Sequence, residues 1–209
     1  ISLQRLNRDE EAVTEFEKSL AVDSASVNTL VSYGISLQRL HRSEQALIPL
    51  EEAIELEPGN YTALSTLGMI YDELKIYDKC DSLYVRALRL YPEDPLFLNN
   101  YAYSLAERSE QLDFALEMAK KAVAAEPEND AYQDTIGWIY YRLGMYDLAL
   151  IHIKKSVDTR QDSAVVIEHL GDVYLKLGDL NEAKSQWKRA LEIDKDNERL
   201  KRKIENTRH

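Results

Sequence analysis

Four histidines, one cysteine and 37 carboxylates are the residues of this chain that could do chemistry, and their spacing assigns them none. His41, His152, His169 and His209 lie too far apart for a short-spaced metal motif, and Cys80 has no second cysteine with which to complete a zinc site. No serine or cysteine nucleophile signature is present, and the Asp and Glu residues are scattered as helix-surface charges. The expectation is a segment that is not an enzyme and takes no metal and no cofactor. Cys80, single and inside an apolar helical pattern, reads as a core residue rather than a reactive thiol.

The elements that must hold these residues announce themselves by repetition. Ile1 to Leu6 reads ISLQRL, and Ile35 to Leu40 reads ISLQRL again, an offset of 34 residues. Ala12, Ala46, Cys80, Ala115, Ala149 and Ala183 follow the same period with one step of 35, and a second small column holds Gly34, Gly68, Ala102, Gly137 and Gly171. Glycine inside a helix costs about 1 kcal/mol relative to alanine, so its recurrence predicts two helix backbones in close approach. Leu37, Tyr71, Leu105, Tyr140 and Tyr174 lie on the same face of each first helix, three residues after the small column. On the second helix, Phe16, Leu50, Tyr84, Ile153 and Trp187 follow the alanine column by four, and a further small residue follows by seven, which is the stripe of a packed helix. Pro58, Pro92 and Pro127 stop the second helices, with Ser24, Gln161 and Lys195 in that column elsewhere. The remaining glycines, Gly59, Gly144 and Gly178, fall in turns, so none is left for a phosphate-binding loop.

This pattern of Gly, Tyr, Ala, aromatic, Ala and Pro in a 34-residue unit resembles the tetratricopeptide repeat family. The resemblance covers nearly the whole chain and implies an all-α, right-handed superhelical solenoid of antiparallel helix pairs. A partial unit at 1–26 is followed by full units at 27–60, 61–94, 95–129, 130–163 and 164–197, and by a capping helix at 198–209 in which Leu200 and Ile204 sit among charges. Unit 95–129 departs from the pattern by one extra residue near Gln111, by Ala102 for glycine and by Ala119 in the large-residue column, predicting a longer turn and looser packing. Pro49 sits several residues into a second helix and is expected to bend it or to remove a hydrogen bond.

In this family the first helices line a concave groove that takes an extended peptide or a helix. Carried over by register, the first lining residues here are Ser32, Ile35 and Arg39, then Thr66, Met69, Asp72 and Glu73. Asn99, Asn100 and Tyr103 come next, followed by Asp134, Thr135, Trp138, Tyr141 and Arg142, and last Glu168, His169 and Asp172. Trp138 and Tyr103 fall at equivalent places in successive units and would stand adjacent, either as binding anchors or as padding between neighbouring first helices. Met69 would extend an apolar strip, and the nearby acids favour a ligand carrying Lys or Arg. The carboxylate clamp that some members use to grip acidic chaperone tails is matched only by Asn99 and Asn100. Leu96, Ala131, Thr135, Val165 and His169 stand where cations are needed, and a carboxylate would meet Asp134 and Glu168.

The formal net charge of −11 makes a phosphate backbone a poor partner. Residues 195–209 hold six Lys/Arg against three Asp/Glu, which makes them +3 and the rest −14, and Lys201, Arg202 and Lys203 read as a solvated helix face. No apolar run is long enough to span a bilayer. The chain opens at Ile1 within a first helix and reads as part of something longer. YAYSLAER and DTIGWIYYRLGMYDLAL, between Asn100 and Leu150, resemble units of bacterial multi-repeat proteins, including envelope lipoproteins. That likeness implies a bacterial source and leans towards the cell envelope or periplasm, with the cytoplasm left open. The functional expectation is a protein-binding scaffold centred on Tyr103, Trp138 and Tyr141. The alternatives are a regulatory or substrate-docking segment of a larger enzyme and a self-assembly module.

Overall fold

A computed structural model describes residues 3–22 and 26–206; Ser24 and His209 lie outside the described residues. These residues form helices and connecting turns only. The helices are α1 (Leu3–Val22), α2 (Val27–Arg39), α3 (Ser43–Leu56), α4 (Tyr61–Glu73), α5 (Tyr77–Leu90), α6 (Pro95–Glu107), α7 (Leu112–Ala125), α8 (Asp130–Arg142), α9 (Tyr146–Thr159), α10 (Ala164–Lys176), α11 (Leu180–Ile193) and α12 (Glu198–Asn206). The architecture is an all-α helical-repeat solenoid. The chain divides into two compact units, residues 1–100 and 101–209, and the division falls within α6.

Each first helix starts the same way. Ser26, Asn60, Asp94, Asn129, Ser163 and Asn197 each accept a backbone N–H two or three residues on, satisfying donors that a helix start leaves unpaired. The turn after each first helix bends at His41, Lys75, Ser109, Gly144 or Gly178, all at positive φ. In unit 95–129 Gln111 is left-handed too, at φ 45°, which is how the extra residue is absorbed. Asn7 occupies this turn column in the partial unit, yet α1 runs straight through it.

The close approach predicted at the glycine column is present. A Cβ on Gly34 would lie 2.5 Å from Leu50, on Gly68 2.7 Å from Tyr84, on Gly137 2.5 Å from Ile153 and on Gly171 2.5 Å from Trp187. Each large second-helix residue therefore fills the space that its glycine vacates. In unit 95–129 the sizes are evened out, with Ala102 and Ala119 both fully buried, so the expected looser packing does not appear as exposure. Cys80 is buried in the core, its thiol 3.7 Å from the Gly68 carbonyl. α3 runs on through Pro49, which is buried and supplies no N–H to the Gln45 carbonyl.

Within the first unit, Tyr61, Tyr91 and Phe97 pack with ring centroids 5.0–5.7 Å apart, and the Tyr91 hydroxyl donates to the Gly59 carbonyl at 2.7 Å. Within the second, one core runs from Ala149 and Ile153 through Ile167, Leu170 and Trp187 to Leu200 and Ile204 of α12. Among the described residues, no helix is long and apolar enough to cross a membrane.

Candidate functional site

In the first unit, the first-helix residues singled out by register differ in exposure. Met69 is exposed, Asp72 half-buried and Thr66 buried on α4. Glu73 accepts the Ser43 hydroxyl at 2.9 Å. On α6, Asn99 is buried and its amide donates to Asn100 Oδ1 at 3.2 Å, so Asn99 faces inward.

In the second unit the geometry is denser. Trp138 stacks on Tyr141 (centroids 4.6 Å, planes 6° apart) and on His169 of the next first helix (4.0 Å, 13°). Its indole N–H donates to Glu107 at 2.6 Å, and the Arg142 guanidinium lies 5.7 Å from its ring. Only 7% of Trp138 is exposed. With both aromatic faces stacked and little surface exposed, its geometry fits the second of the two expected roles, padding between neighbouring first helices. Tyr103 and Tyr141 are half-buried and keep accessible surface. Arg142 donates from Nε to Ser109 Oγ at 2.9 Å and from Nη2 to the Glu107 carbonyl at 3.2 Å, tying α8 to the end of α6.

His169 Nδ1 stands 3.0 and 3.1 Å from the two Asp134 oxygens, with both side chains buried. Burial pushes the imidazole towards its neutral form. The Asp134 carboxylate, its hydrogen bond and the charges of Glu107 and Asp172 together outweigh that and raise its pKa above the ordinary value. Compared with a free imidazole the site favours protonation, and in that form the ring donates to Asp134 while lying flat on an indole, a cation–π arrangement. His152 contrasts with it: burial, then Lys155, lowers its pKa, and it pairs with the uncharged Gln133 at 2.7 Å. The Tyr141 hydroxyl is pushed up to about 12 by burial and then by Asp172.

The acids expected to await a basic ligand are occupied from within the chain. Asp134 holds His169, while Glu168, 2% exposed, accepts Arg199 at 2.8 Å and Lys203 at 2.6 Å. Asp172 accepts Lys203 at 2.6 and 2.7 Å and the Trp187 indole N–H at 2.9 Å. Lys203 is thus not a solvated face residue. Sequence reasoning missed Glu107, Arg199 and Lys203 as partners, although a signal existed. The donors Trp138, Arg199 and Lys203 stand 31 residues after the acids Glu107, Glu168 and Asp172, and His169 and Lys203 stand 35 after Asp134 and Glu168. In a 34-residue stack, offsets of one residue forward or three back are the ones that face across to the preceding first helix.

The family models for the tetratricopeptide repeat match residues 61–94 and 164–197. BBSome complex member BBS4 of Bos taurus is 36% identical over 86 residues, which take in 41% of this chain and 16% of the relative, so the chain spans a small part of that protein. A thermophilic tetratricopeptide-repeat protein of Thermus thermophilus superposes with a TM-score of 0.74 at 22% identity, covering 87% of this chain and 98% of its own. One from Parabacteroides merdae superposes at 0.81 and 17% identity, covering 99% and 80%. Repeat period, helix pairing, close-packed glycines and these likenesses agree, and the chain is a member of the tetratricopeptide repeat family.

Proposed function

We propose that this chain is a non-catalytic adaptor that binds an extended peptide or a helix of a partner protein on the first-helix face of its second unit, at Tyr103, Tyr141 and Arg142. The family's general role as a protein-interaction scaffold supports the class of function. The observation that carries the site is the Tyr141–Trp138–His169 stack. It gives Tyr141 a fixed ring orientation before any ligand arrives, and a pre-ordered aromatic surface binds with little entropic loss. Trp138, Asp134 and His169 form the floor of this site. Asn99, Asn100, Met69 and Asp72 belong to the first unit's own first-helix residues, where exposed Met69 offers an adaptable apolar contact. The matching ligand carries an aliphatic or aromatic anchor for Tyr141, with basic residues drawn by the net charge of −11.

Selection of peptides from a random displayed library, followed by titration against native chain and a Tyr103→Ser, Tyr141→Ser variant, tests the reading. The expected result is affinity lost in the variant at unchanged helicity and melting temperature. Selected peptides that bind both chains equally place the site elsewhere.

A further inference from the structure

We propose that the outer face of the second unit, on α9 and α11, is a second docking surface, for an extended acidic segment of another protein that also carries an aliphatic residue. The second helices of this unit hold paired cations at one register, Lys120–Lys121, Lys154–Lys155 and Lys188–Arg189, each pair 34 residues after the last. The first unit has Glu17–Lys18, Glu51–Glu52 and Val85–Arg86 at those places, so the repeat itself does not demand the pairs. Their second members have a structural use. Lys155 donates to the Pro127 carbonyl at 2.8 Å and Arg189 to that of Gln161 at 3.2 Å, as Arg86 does to that of Pro58 at 2.7 Å, tying each second helix to the end of the one before. No such use accounts for the first members on α9 and α11. Lys154 and Lys188 are exposed, Lys184 stands one turn before Lys188, and among the described residues none of the three makes a hydrogen bond or an ion pair.

Two further observations mark this face. Solvation alone asks for no apolar residues, yet Ile151 is 62% exposed three positions before Lys154, and Leu148 is exposed one turn earlier. On α11, Asn181, Lys184, Ser185 and Lys188 line one shallow depression, where an amide and a hydroxyl supply neutral donors beside the two ammonium groups. Asp158 and Glu192 lie one turn beyond Lys154 and Lys188 without bonding to either. Charge complementarity selects the occupant, since unpaired ammonium groups take carboxylates. A net charge of −11 repels a broad anionic body such as a bilayer or a duplex. A single strand instead meets the lysines at contact distance, with acids more than about 8–10 Å away screened by salt. The face lies on second helices, whereas Tyr103 and Tyr141 lie on first helices, so either site can fail without the other.

The test titrates the full chain with a labelled peptide of Glu-Asp-Leu repeats as probe. Lys154→Glu with Lys188→Glu is expected to weaken binding about tenfold or more, because two attractions become repulsions. Lys176→Glu with Arg202→Glu makes the same change in net charge at exposed positions off the face, and is expected to leave the affinity within about twofold. Leu148→Ser with Ile151→Ser is expected to cost about fivefold, the share of the aliphatic contact. All three variants alter exposed side chains and should keep the native helicity and melting temperature, and Tyr103→Ser with Tyr141→Ser should bind this probe as native chain does. Absence of binding by native chain, equal loss in the two charge-reversed variants, or loss in the tyrosine variant each overturns the proposal. So does retention of native chain on phosphatidylserine vesicles, through Lys154 and Lys188, that the peptide fails to displace.

Discussion

Adding one methyl group at Gly171 puts the close-packing account at risk. A Cβ there would stand 2.5 Å from Trp187 Cδ1 and Nε1 and 3.1 Å from the Ala183 carbonyl oxygen. Ordinary carbon contacts lie at about 3.5–4.0 Å, so the indole must retreat by roughly 1 Å. It has nowhere easy to go, being 1% exposed and tied through Nε1 to Asp172. Overpacking costs about 1–3 kcal/mol, and with the indole unable to retreat the upper part of that range applies, about 2–3 kcal/mol. Alanine in a helix interior recovers about 1 kcal/mol over glycine, which leaves a net loss of about 1–2 kcal/mol for Gly171→Ala. In a chain of this size each kcal/mol shifts the melting temperature by about 2–4 °C, so a fall of about 2–8 °C is expected. Thermal melts followed at 222 nm, with Trp fluorescence as a local readout, measure it. Gly59→Ala is the control, since its Cβ would meet only Leu90 at 4.0 Å and its melt should hardly move. If Gly171→Ala melts with the control or above it, close helix approach is not the reason for that glycine.

Further outcomes follow from the same packing. Pro49→Ala restores an N–H within α3 and should raise stability by about 1–3 kcal/mol in urea titrations, the interior proline penalty less some lost burial. Trp138→Phe keeps the stack on Tyr141 and His169 and removes the bond to Glu107, and should cost about 0.5–1.5 kcal/mol by the same assay. Its folded-state pKa being raised, protonated His169 stabilises the fold fully below its ordinary value of 6.5, and this is lost as pH rises through the folded value. Urea midpoints of native chain should therefore drop as pH rises above 6.5, and the drop should shrink in His169→Gln. His152, its pKa lowered, works in the opposite sense and weakens the fold as pH falls below 6.5.

The apolar columns carried the fold openly because they must recur: a 34-residue stack puts Gly171 against Trp187 as it puts Gly34 against Leu50. The capping column from Ser26 to Asn197 is equally regular, but spread over Ser, Asn and Asp it carries no single-residue signature. What periodicity cannot show is how far a side chain is used up by its neighbours. Trp138 stood off the packing column and looked available, but exposure depends on His169 arriving from the next unit and Tyr141 folding back along its own. Likewise Lys203 looked solvated because it sits in a run of charges. Its acidic partners Asp172 and Glu168 lie 31 and 35 residues upstream.

Those cross-unit polar contacts also explain why two first helices stack at one offset when their apolar faces are permissive. Leucine, isoleucine and valine contacts tolerate sliding, whereas a buried carboxylate tolerates only the position that brings it a donor. His169 against Asp134 fixes α10 on α8, and Lys203 against Glu168 fixes α12 on α10. A double-mutant cycle with Asp134→Asn and His169→Gln isolates the first of these. Each single change strands a buried polar partner, while the double change leaves two amides able to pair, so the coupling energy should be about 0.5–3 kcal/mol with the double mutant less damaged than the sum. Additive losses would mean that the pair is bystander to the apolar packing, and that the register of α10 on α8 is set by Ile167, Leu170 and their neighbours alone.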